Sequence, residues 1–154
     1  MLIFLDIDGV MVPSKSWERP ELLTDGFPAF SAKATTILKS LISEDTTVLL
    51  TTSHKSRFTF QQWKRIFASR GIQLQTLKVL ENNTRNLSRK DEILQWFTLN
   101  VISEDFLIID DDKSLNALPI YLKSNLILTK PMIGLVDNDL EVYRSVQSRG
   151  LLAV

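Results

Sequence analysis

The chain lacks cysteine altogether and has a single histidine among its 154 residues. Without cysteine, neither a disulfide framework nor a thiolate metal site can form, and one histidine argues against a multi-histidine zinc site. Long apolar runs are also missing, because no stretch approaches the roughly 18 consecutive apolar residues of a membrane span. The N-terminus has neither the basic flank nor the small-residue cleavage pattern of a signal peptide. We therefore expect a cytoplasmic protein that makes no use of a membrane.

An excess of charge of either sign is missing as well. Lysine and arginine total 18, and aspartate and glutamate also total 18. No overall field therefore draws the protein to nucleic acid, although a local basic groove can exist inside a neutral total. Apolar residues make up 44% and charged residues 23%, which is ordinary globular composition. The length, with no repeat or linker, predicts a single domain over residues 1–154.

Short apolar segments alternate with amphipathic ones along the chain. We predict strands over residues 2–5, 46–52, 72–80, 106–109 and 125–128. Helices are predicted over 31–43, from about Phe60 to Gly71 with Phe60 on its core face, from Ser88 onward, and over 137–148 with Gly150 beyond the end. This alternation predicts an α/β protein, with a three-layer Rossmann-like fold and a parallel five-stranded sheet. Residues 11–30 carry three prolines and a glycine, and they predict a surface flap.

The most informative feature is a pair of aspartates, Asp6 and Asp8, which follows the first apolar strand and precedes Gly9. Residues two apart in a strand point to the same face. Two carboxylates at a buried strand end need a cation or a proton to offset their repulsion and desolvation. A hard divalent cation such as Mg²⁺ is the natural partner. An ordinary Asp-x-Asp-Gly turn that ends a strand is the alternative reading of this spacing.

Further polar residues follow two other strands. Thr52 and Ser53 come after the second strand, and Asp110 and Asp111 come after the fourth. Ligands of parallel sheets bind at the carboxyl ends of the strands, so we expect these side chains to converge. Phosphoryl transfer can use a carboxylate as the nucleophile, which then needs nearby cations and a second acid, and hydroxyl groups can hold the phosphate oxygens. The sequence supplies a candidate for each of these parts.

Four ordered segments, Phe4–Val10, Val48–Ser53, Arg89–Ile93 and Leu107–Asp111, resemble the four motifs of the haloacid dehalogenase (HAD) superfamily. The resemblance spans nearly the whole chain. It implies that Asp6 is the nucleophile and a metal ligand. It also implies that Asp8 is the general acid and base, and that the backbone carbonyl of Asp8 ligates the metal.

The other motifs supply the remaining roles by the same resemblance. Thr52 matches the residue that binds the transferring phosphoryl group, with Ser53 beside it, and Thr51 or Ser53 are alternative registers. Lys90 matches the lysine that neutralises the nucleophile and the phosphate. Asp110 and Asp111 match the acidic pair that completes the magnesium site, with Asp111 as the direct ligand.

The resemblance implies a magnesium-dependent phosphatase that works through an aspartyl-phosphate. The acid two residues after the nucleophile argues against a dehalogenase, which lacks it. A phosphotransferase uses the same intermediate and stays an alternative. A binding or regulatory module that keeps the metal site without useful turnover is an alternative from another class.

The expected substrate follows from what the chain leaves out. Superfamily cap domains enter after the first motif or after the third strand, and both gaps are short here, so the resemblance implies a capless protein. An open site favours phosphorylated substrates with their own bulk, first a nucleotide or a nucleic-acid terminal phosphate, then a phosphoprotein or a small metabolite. The run Thr129–Leu135 is similar to HAD domains associated with RNA-repair proteins. No obligate protein partner is evident.

Several residues near the motifs depart from the family pattern or are expected to have structural roles. The relatives associated with RNA repair commonly have Trp-Arg after the second motif, where this chain has His54-Lys55, and Lys55 and Arg57 could supply equivalent charge. We interpret His54 as a local hydrogen-bonding residue and Arg89 as a surface residue. Asp112 is expected to be a solvated acid or the cap of the following turn.

Overall fold

Five parallel strands form one sheet in the computed structural model, which describes residues 1–152. The strands are β1 (Leu2–Leu5), β2 (Thr47–Leu50), β3 (Thr76–Val79), β4 (Phe106–Asp110) and β5 (Leu126–Leu128). Their order across the sheet is β3-β2-β1-β4-β5, and every pairing is parallel. The predicted α/β fold with a parallel five-stranded sheet is confirmed.

The longer helices of the first hundred residues begin at polar caps. The helices of the described residues are α1 (Ala32–Leu41), α2 (Phe60–Ser69), α3 (Arg89–Leu99), α4 (Ile120–Lys123) and α5 (Asp137–Leu152), with a 3₁₀ helix at Lys113–Ala117. Ser31, Thr59 and Ser88 each accept a hydrogen bond from the backbone N–H three residues later. Such a bond satisfies one of the N–H groups that a helix start leaves unpaired, and it fixes where each helix begins.

The central strand β1 determines where the site lies. All four of its residues are buried, and Leu5 is in register with Leu50 of β2 on one side and Ile109 of β4 on the other. The residues that follow Leu5, Leu50 and Ile109 therefore meet at the carboxyl edge of the sheet. The chain leaves β1 for β2 in one direction and reaches β4 in the other, and such a switch point opens a crevice.

Apolar side chains cover both faces of the sheet. Ile3 and Leu5 pack in the larger core cluster, which includes Trp63 of α2. Leu2 and Phe4 pack in a second cluster, which includes Ile93 of α3. Alternate residues of β1 thus serve opposite cores, as the period of a strand requires. The two cores complete the three-layer arrangement that the sequence predicts.

Several predicted boundaries are wrong. The second strand ends at Leu50, two residues before the predicted end at Thr52, and the third strand begins at Thr76 rather than at residue 72. The last helix continues through Gly150 to Leu152. A glycine costs a helix only about 1 kcal/mol relative to alanine, so it does not by itself end one.

Phe60 does not lie on the core face of α2, because it is 58% exposed. It is the first residue of the helix, and the buried face consists of Trp63, Ile66 and Phe67.

Residues 11–30 hold no regular helix or strand, and neither do residues 80–88. The residues from Ser14 to Gly26 are all exposed, whereas Phe27 is buried. Arg70, which follows α2, donates hydrogen bonds to the carbonyl oxygens of Phe27 and Pro28 and pairs with Asp25 at 2.7 Å. The predicted flap is therefore a surface segment that is anchored at its C-terminal end. Within residues 1–152, we find no helix with the length and apolar character needed to cross a membrane.

Candidate active site

Three aspartates meet at the carboxyl edge of the sheet. Asp6 follows β1, Asp110 ends β4, and Asp111 comes next, and one carboxylate oxygen of each lies within 4.8 Å of the others. The register of Leu5 with Ile109 places the first two residues at the same level of the sheet. The structure thus brings together three of the four residues that the sequence assigns to a metal. A cluster of carboxylate oxygens is the ligand set that Mg²⁺ prefers.

The electrostatics of Asp6 call for a cation. Burial of its carboxyl, followed by the neighbouring charge of Asp110, raises the pKa of Asp6 from 3.8 to about 9, although Arg89 opposes the rise. Only 6% of the residue is exposed, so water offers little compensation. With the protein groups alone, the favoured state of Asp6 at neutral pH is protonated. A divalent cation at the cluster would favour the ionised form that a nucleophile needs.

Arg89 is the cation that contacts the aspartates. Its Nη1 lies 2.5 Å from Oδ2 of Asp110 and 3.8 Å from Oδ1 of Asp6, and it donates to Oγ1 of Thr51 at 3.2 Å. Burial alone would lower the pKa of Arg89, but Asp110 and Asp6 raise it overall. The interpretation of Arg89 as a surface residue is wrong, because only 12% of its side chain is exposed. The aspartates attract the guanidinium inward.

Lys90, the residue after Arg89, has different contacts. Its backbone N–H donates to Oγ of Ser114 at 3.1 Å, and within residues 1–152 no salt bridge of its ammonium group is found. The role expected of Lys90 toward nucleophile and phosphate stays a prediction. The sequence also contained an indication that Arg89 has a functional role. A cation in the first turn of a helix is unfavourable because it opposes the helix dipole, and this holds for Arg89 as well as for Lys90.

A buried glutamate, to which the sequence motifs assign no role, holds two cations. Oε2 of Glu92 lies 3.0 Å from Nζ of Lys55, and Oε1 of Glu92 lies 3.5 Å from Nε of Arg89. The side chains of Glu92 and Lys55 are both under 10% exposed. Lys55 therefore belongs to a buried ion pair behind the site. Glu92 contacts Nε of Arg89, whereas the aspartates contact Nη1.

The donor set fits a divalent cation. Within residues 1–152, salt bridges join Asp6, Asp110 and Glu92 to two cationic side chains, Arg89 and Lys55, so full ionisation of this group together with Asp111 leaves two negative charges in excess. The oxygens of Asp110 are already engaged, Oδ2 by Arg89 and Oδ1 by the backbone N–H of Asp112 at 3.0 Å. This geometry favours Asp6 and Asp111 as direct ligands, with Asp110 behind them.

Gly9 allows the two aspartate loops to approach closely. Its φ is +78°, and a Cβ built on it would lie 2.0 Å from Oδ2 of Asp111. The carbonyl oxygen of Gly9 accepts a hydrogen bond of 2.6 Å from the buried Oγ1 of Thr129. Leu135 donates its backbone N–H to the carbonyl of Val10 at 2.8 Å. The run Thr129–Leu135 thus packs against the loop that carries Asp8.

The side chain of Asp8 is not one of the three carboxylates of the cluster. It is 47% exposed, and its Oδ2 lies 2.6 Å from Nε2 of His54. On the other side of the imidazole, Nδ1 lies 3.2 Å from Nη1 of Arg57. The interpretation of His54 as a local hydrogen-bonding residue is wrong for its side chain, because Asp8 lies 46 residues away along the chain. Nothing in the local sequence pattern reveals such a pair.

The hydroxyl groups after β2 lie in three different environments. Thr51 is buried and bonded to Arg89. Thr52 is fully buried, and its Oγ1 accepts the backbone N–H of His54 at 3.2 Å. Ser53 is exposed. The assignment of Thr52 and Ser53 to phosphate binding, and the register among the three, stay predictions.

Asp112 is the cap of the following turn. Its Oδ1 accepts the backbone N–H of Ser114 at 2.9 Å, at the start of the 3₁₀ helix. This confirms one of the two readings of Asp112 and leaves Asp110 and Asp111 as the acidic pair of the site.

A scan against protein families matches residues 2–140 to the HAD domain in Swiss Army Knife RNA repair proteins. The match includes all four motif segments and every residue of the site described above. Searches of curated proteins and of solved structures find no match. HAD domains are generally phosphohydrolases, so the match indicates a function of that type. The chain belongs to the family of HAD domains in Swiss Army Knife RNA repair proteins.

Proposed function

We propose that the protein is a magnesium-dependent phosphatase in which Asp6 forms an aspartyl-phosphate. The observation that carries the proposal is the buried carboxylate of Asp6, held with Asp110 and Asp111 and facing Arg89. A buried carboxylate surrounded by other carboxylates destabilises the fold. Such groups cluster at functional sites, which supports a catalytic role for Asp6.

Mg²⁺ would be held by Asp6 and Asp111, with Asp110 next to them. The family resemblance adds the backbone carbonyl of Asp8 as a further ligand. When bound, Mg²⁺ would supply the positive charge that keeps Asp6 ionised and offsets the charge of the phosphate. Arg89 adds a fixed positive charge on the other side of Asp6 and Asp110.

The protein's own groups carry the two chemical steps. Asp6 attacks phosphorus, the bond from phosphorus to the leaving oxygen breaks, and Asp8 gives that oxygen a proton. Asp8 then takes a proton from water, the water oxygen attacks phosphorus, and the acyl phosphate bond breaks to release inorganic phosphate and Asp6. Lys90 and the hydroxyl groups of Thr52 and Ser53 hold the oxygens of the transferred group.

The substrate class that we favour is a terminal phosphate on a nucleic acid or nucleotide. The family description names RNA repair, and neither residues 11–30 nor residues 80–88 hold a regular helix or strand of an inserted cap domain. Trp17 in the flap is 68% exposed and has Lys15 and Arg19 as near neighbours in sequence. Aromatic side chains with basic residues beside them stack on and attract single-stranded nucleic acid.

The direct test measures Mg²⁺-dependent phosphate release from an aryl phosphate and from a substrate panel. The panel contains oligonucleotides with 3′- or 5′-phosphates, mononucleotides and phosphopeptides. We expect turnover of the aryl phosphate, loss of turnover in Asp6→Asn with the fold retained, and preference for an oligonucleotide. Full activity of Asp6→Asn would show that another residue is the nucleophile. Absence of turnover with any divalent metal would favour a binding module instead.

Trp17→Ala tests the substrate class separately. Loss of one stacked base costs about 1–3 kcal/mol, so kcat/KM for the preferred oligonucleotide should fall about tenfold while that for the aryl phosphate stays unchanged. Trp17→Phe is the matched control, because it keeps an aromatic face. Equal kcat/KM values for the oligonucleotide in wild type and Trp17→Ala would count against stacking on the flap.

A further inference from the structure

We propose that His54 is a positioning residue for the reaction, holding the carboxylate of Asp8 in the orientation from which it gives and takes a proton. The inference rests on the proposed function, because it assigns His54 a task only if Asp8 is the general acid and base. None of the four family motifs includes His54.

The hydrogen-bond partners of His54 determine which ring nitrogen carries the proton. Arg57 donates hydrogen bonds and never accepts them, so Nδ1 of His54, 3.2 Å from Arg57, must present its lone pair. In the neutral imidazole the hydrogen is then on Nε2, which points at Oδ2 of Asp8 from 2.6 Å. A donor that faces a carboxylate at this distance makes a strong, charge-assisted hydrogen bond.

The imidazole is held in place from several directions. Its ring packs edge to face against the buried Phe27, with the centroids 5.7 Å apart. The backbone N–H of His54 donates to Oγ1 of Thr52, and its carbonyl oxygen accepts the N–H of Arg57 at 2.9 Å. Because both the ring and the backbone are restrained, the Nε2–H group is a hydrogen-bond donor in a fixed position next to Asp8.

The hydrogen bond from His54 matters because few other contacts fix the orientation of the Asp8 carboxylate. Its side chain is 47% exposed, and in the part of the chain that the structure describes, His54 is the only side chain that it bonds. With Oδ2 engaged by His54, Oδ1 is the atom left to exchange a proton with the leaving group and with water. Misplacement of a reacting group by about 1 Å can cost 100-fold in rate.

A purely structural reading is that the bond merely ties the loop after β1 to the loop after β2. The two readings differ in how the effect of removal depends on the leaving group. A nitrophenolate leaves without a proton, whereas an alkoxide must be protonated, so only the second needs a well-placed Asp8 in the first step. The parameter kcat/KM reports on this step, because it covers events up to the first irreversible one.

The experiment compares His54→Phe with His54→Gln. Phenylalanine keeps the ring against Phe27 and removes the N–H, whereas the amide of glutamine reaches about as far as Nε2. Both variants and the wild type are assayed with Mg²⁺ on p-nitrophenyl phosphate and on an alkyl phosphate. We expect His54→Phe to lower kcat/KM about tenfold or more for the alkyl ester and less than about threefold for the aryl ester. His54→Gln should recover most of the loss.

Equal losses on both esters, or no loss in His54→Phe, would overturn the positioning role and leave the proposed function standing. A wild type without turnover on either ester would overturn the proposed function itself. Circular dichroism and thermal unfolding check the fold of each variant. If His54→Phe does not fold, His54→Asn replaces it, because the shorter amide cannot reach Asp8 and should show the same leaving-group dependence.

Discussion

At the scale of single residues, the distance between the two aspartate loops depends on an absent side chain. Gly9 adopts a positive φ, and a Cβ there would lie 2.0 Å from Oδ2 of Asp111. The carboxylate of Asp111 can reach the cluster only because nothing projects from Gly9. The Asp-x-Asp-Gly pattern, which alone also fits a simple turn, thus has a steric reason for its glycine.

Gly9→Ala should therefore displace Asp111 and reduce phosphatase activity by about 100-fold, the cost of moving a reacting group by about 1 Å. Gly26→Ala is the matched control, since Gly26 has φ +79° but no atom within 4 Å of the place that an alanine methyl group would take. Both substitutions carry backbone strain and should lower Tm, but Gly26→Ala should leave kcat within about twofold of wild type. Equal kcat losses in the two variants would contradict the steric account.

Asp6 gives the metal-free protein a distinct pH dependence. Its pKa rises from 3.8 to about 9 on folding, because of burial and then of Asp110, so the folded protein binds more protons than the unfolded chain between these values. The free energy of unfolding contributed by this group therefore falls as pH rises from about 4 to 9. Asp6→Asn should flatten that fall and raise Tm at pH 8 by roughly 4 °C or more in the presence of EDTA.

The measurement is thermal unfolding at several pH values between about 5 and 9, the window that the raised pKa defines. Asp45→Asn, at an exposed turn, is the control and should leave the wild-type pH profile in place. Addition of Mg²⁺ should raise Tm at pH 8 more in the wild type than in Asp6→Asn, because binding to the folded state alone stabilises it. A steeper loss of Tm with pH in Asp6→Asn than in the wild type would contradict the assigned sign.

At the scale of elements, one arginine that follows α2 holds the C-terminal end of the flap. Arg70, whose side chain is 4% exposed, bonds the carbonyl oxygens of Phe27 and Pro28 and pairs with Asp25, the pKa of which it lowers. Its guanidinium also lies 5.0 Å from the ring centroid of Phe30. These contacts keep Phe27 buried beside His54, so the flap's anchor also supports the ring that faces Asp8.

Arg70→Met should destabilise the fold by about 2 kcal/mol, because it leaves carbonyl oxygens and a carboxylate without their donor. For a domain of this size that corresponds to a Tm roughly 4–8 °C lower. Arg65→Met, at an exposed position of α2, should change Tm by less than about 2 °C. If the two variants unfold at the same temperature, the anchor does not contribute as described.

Elements also show which parts of the site a sequence can predict. The order of strands and helices follows from apolar periodicity, and the carboxyl-end rule places Asp6 beside Asp110 and Asp111. Arg89 and Lys90 are adjacent on α3, about 100° apart around its axis, so only the packed helix decides which one faces the aspartates. The short α4 and the 3₁₀ helix have too few residues to show a period.

At the scale of the whole molecule, the site is formed by segments that lie far apart in sequence. The bond between His54 and Asp8 spans 46 residues, and that from Thr129 to Gly9 spans 120. Such pairs depend on the sheet order β3-β2-β1-β4-β5, which brings their loops to one edge. Local patterns therefore predict the aspartates at the strand ends, whereas the groups that orient them become visible only in the folded protein.

The proposed reaction requires that Asp6 becomes phosphorylated, and peptide mass spectrometry of acid-quenched enzyme can detect this modification. The Asp8→Asn variant, incubated with Mg²⁺ and an aryl phosphate, should accumulate the intermediate, because the base that activates water is absent. We expect one phosphoryl group on the tryptic peptide of residues 1–15, removable by hydroxylamine and missing when Asp6 is also changed to Asn. A phosphoryl group on any other peptide, or its persistence without Asp6, would contradict the account.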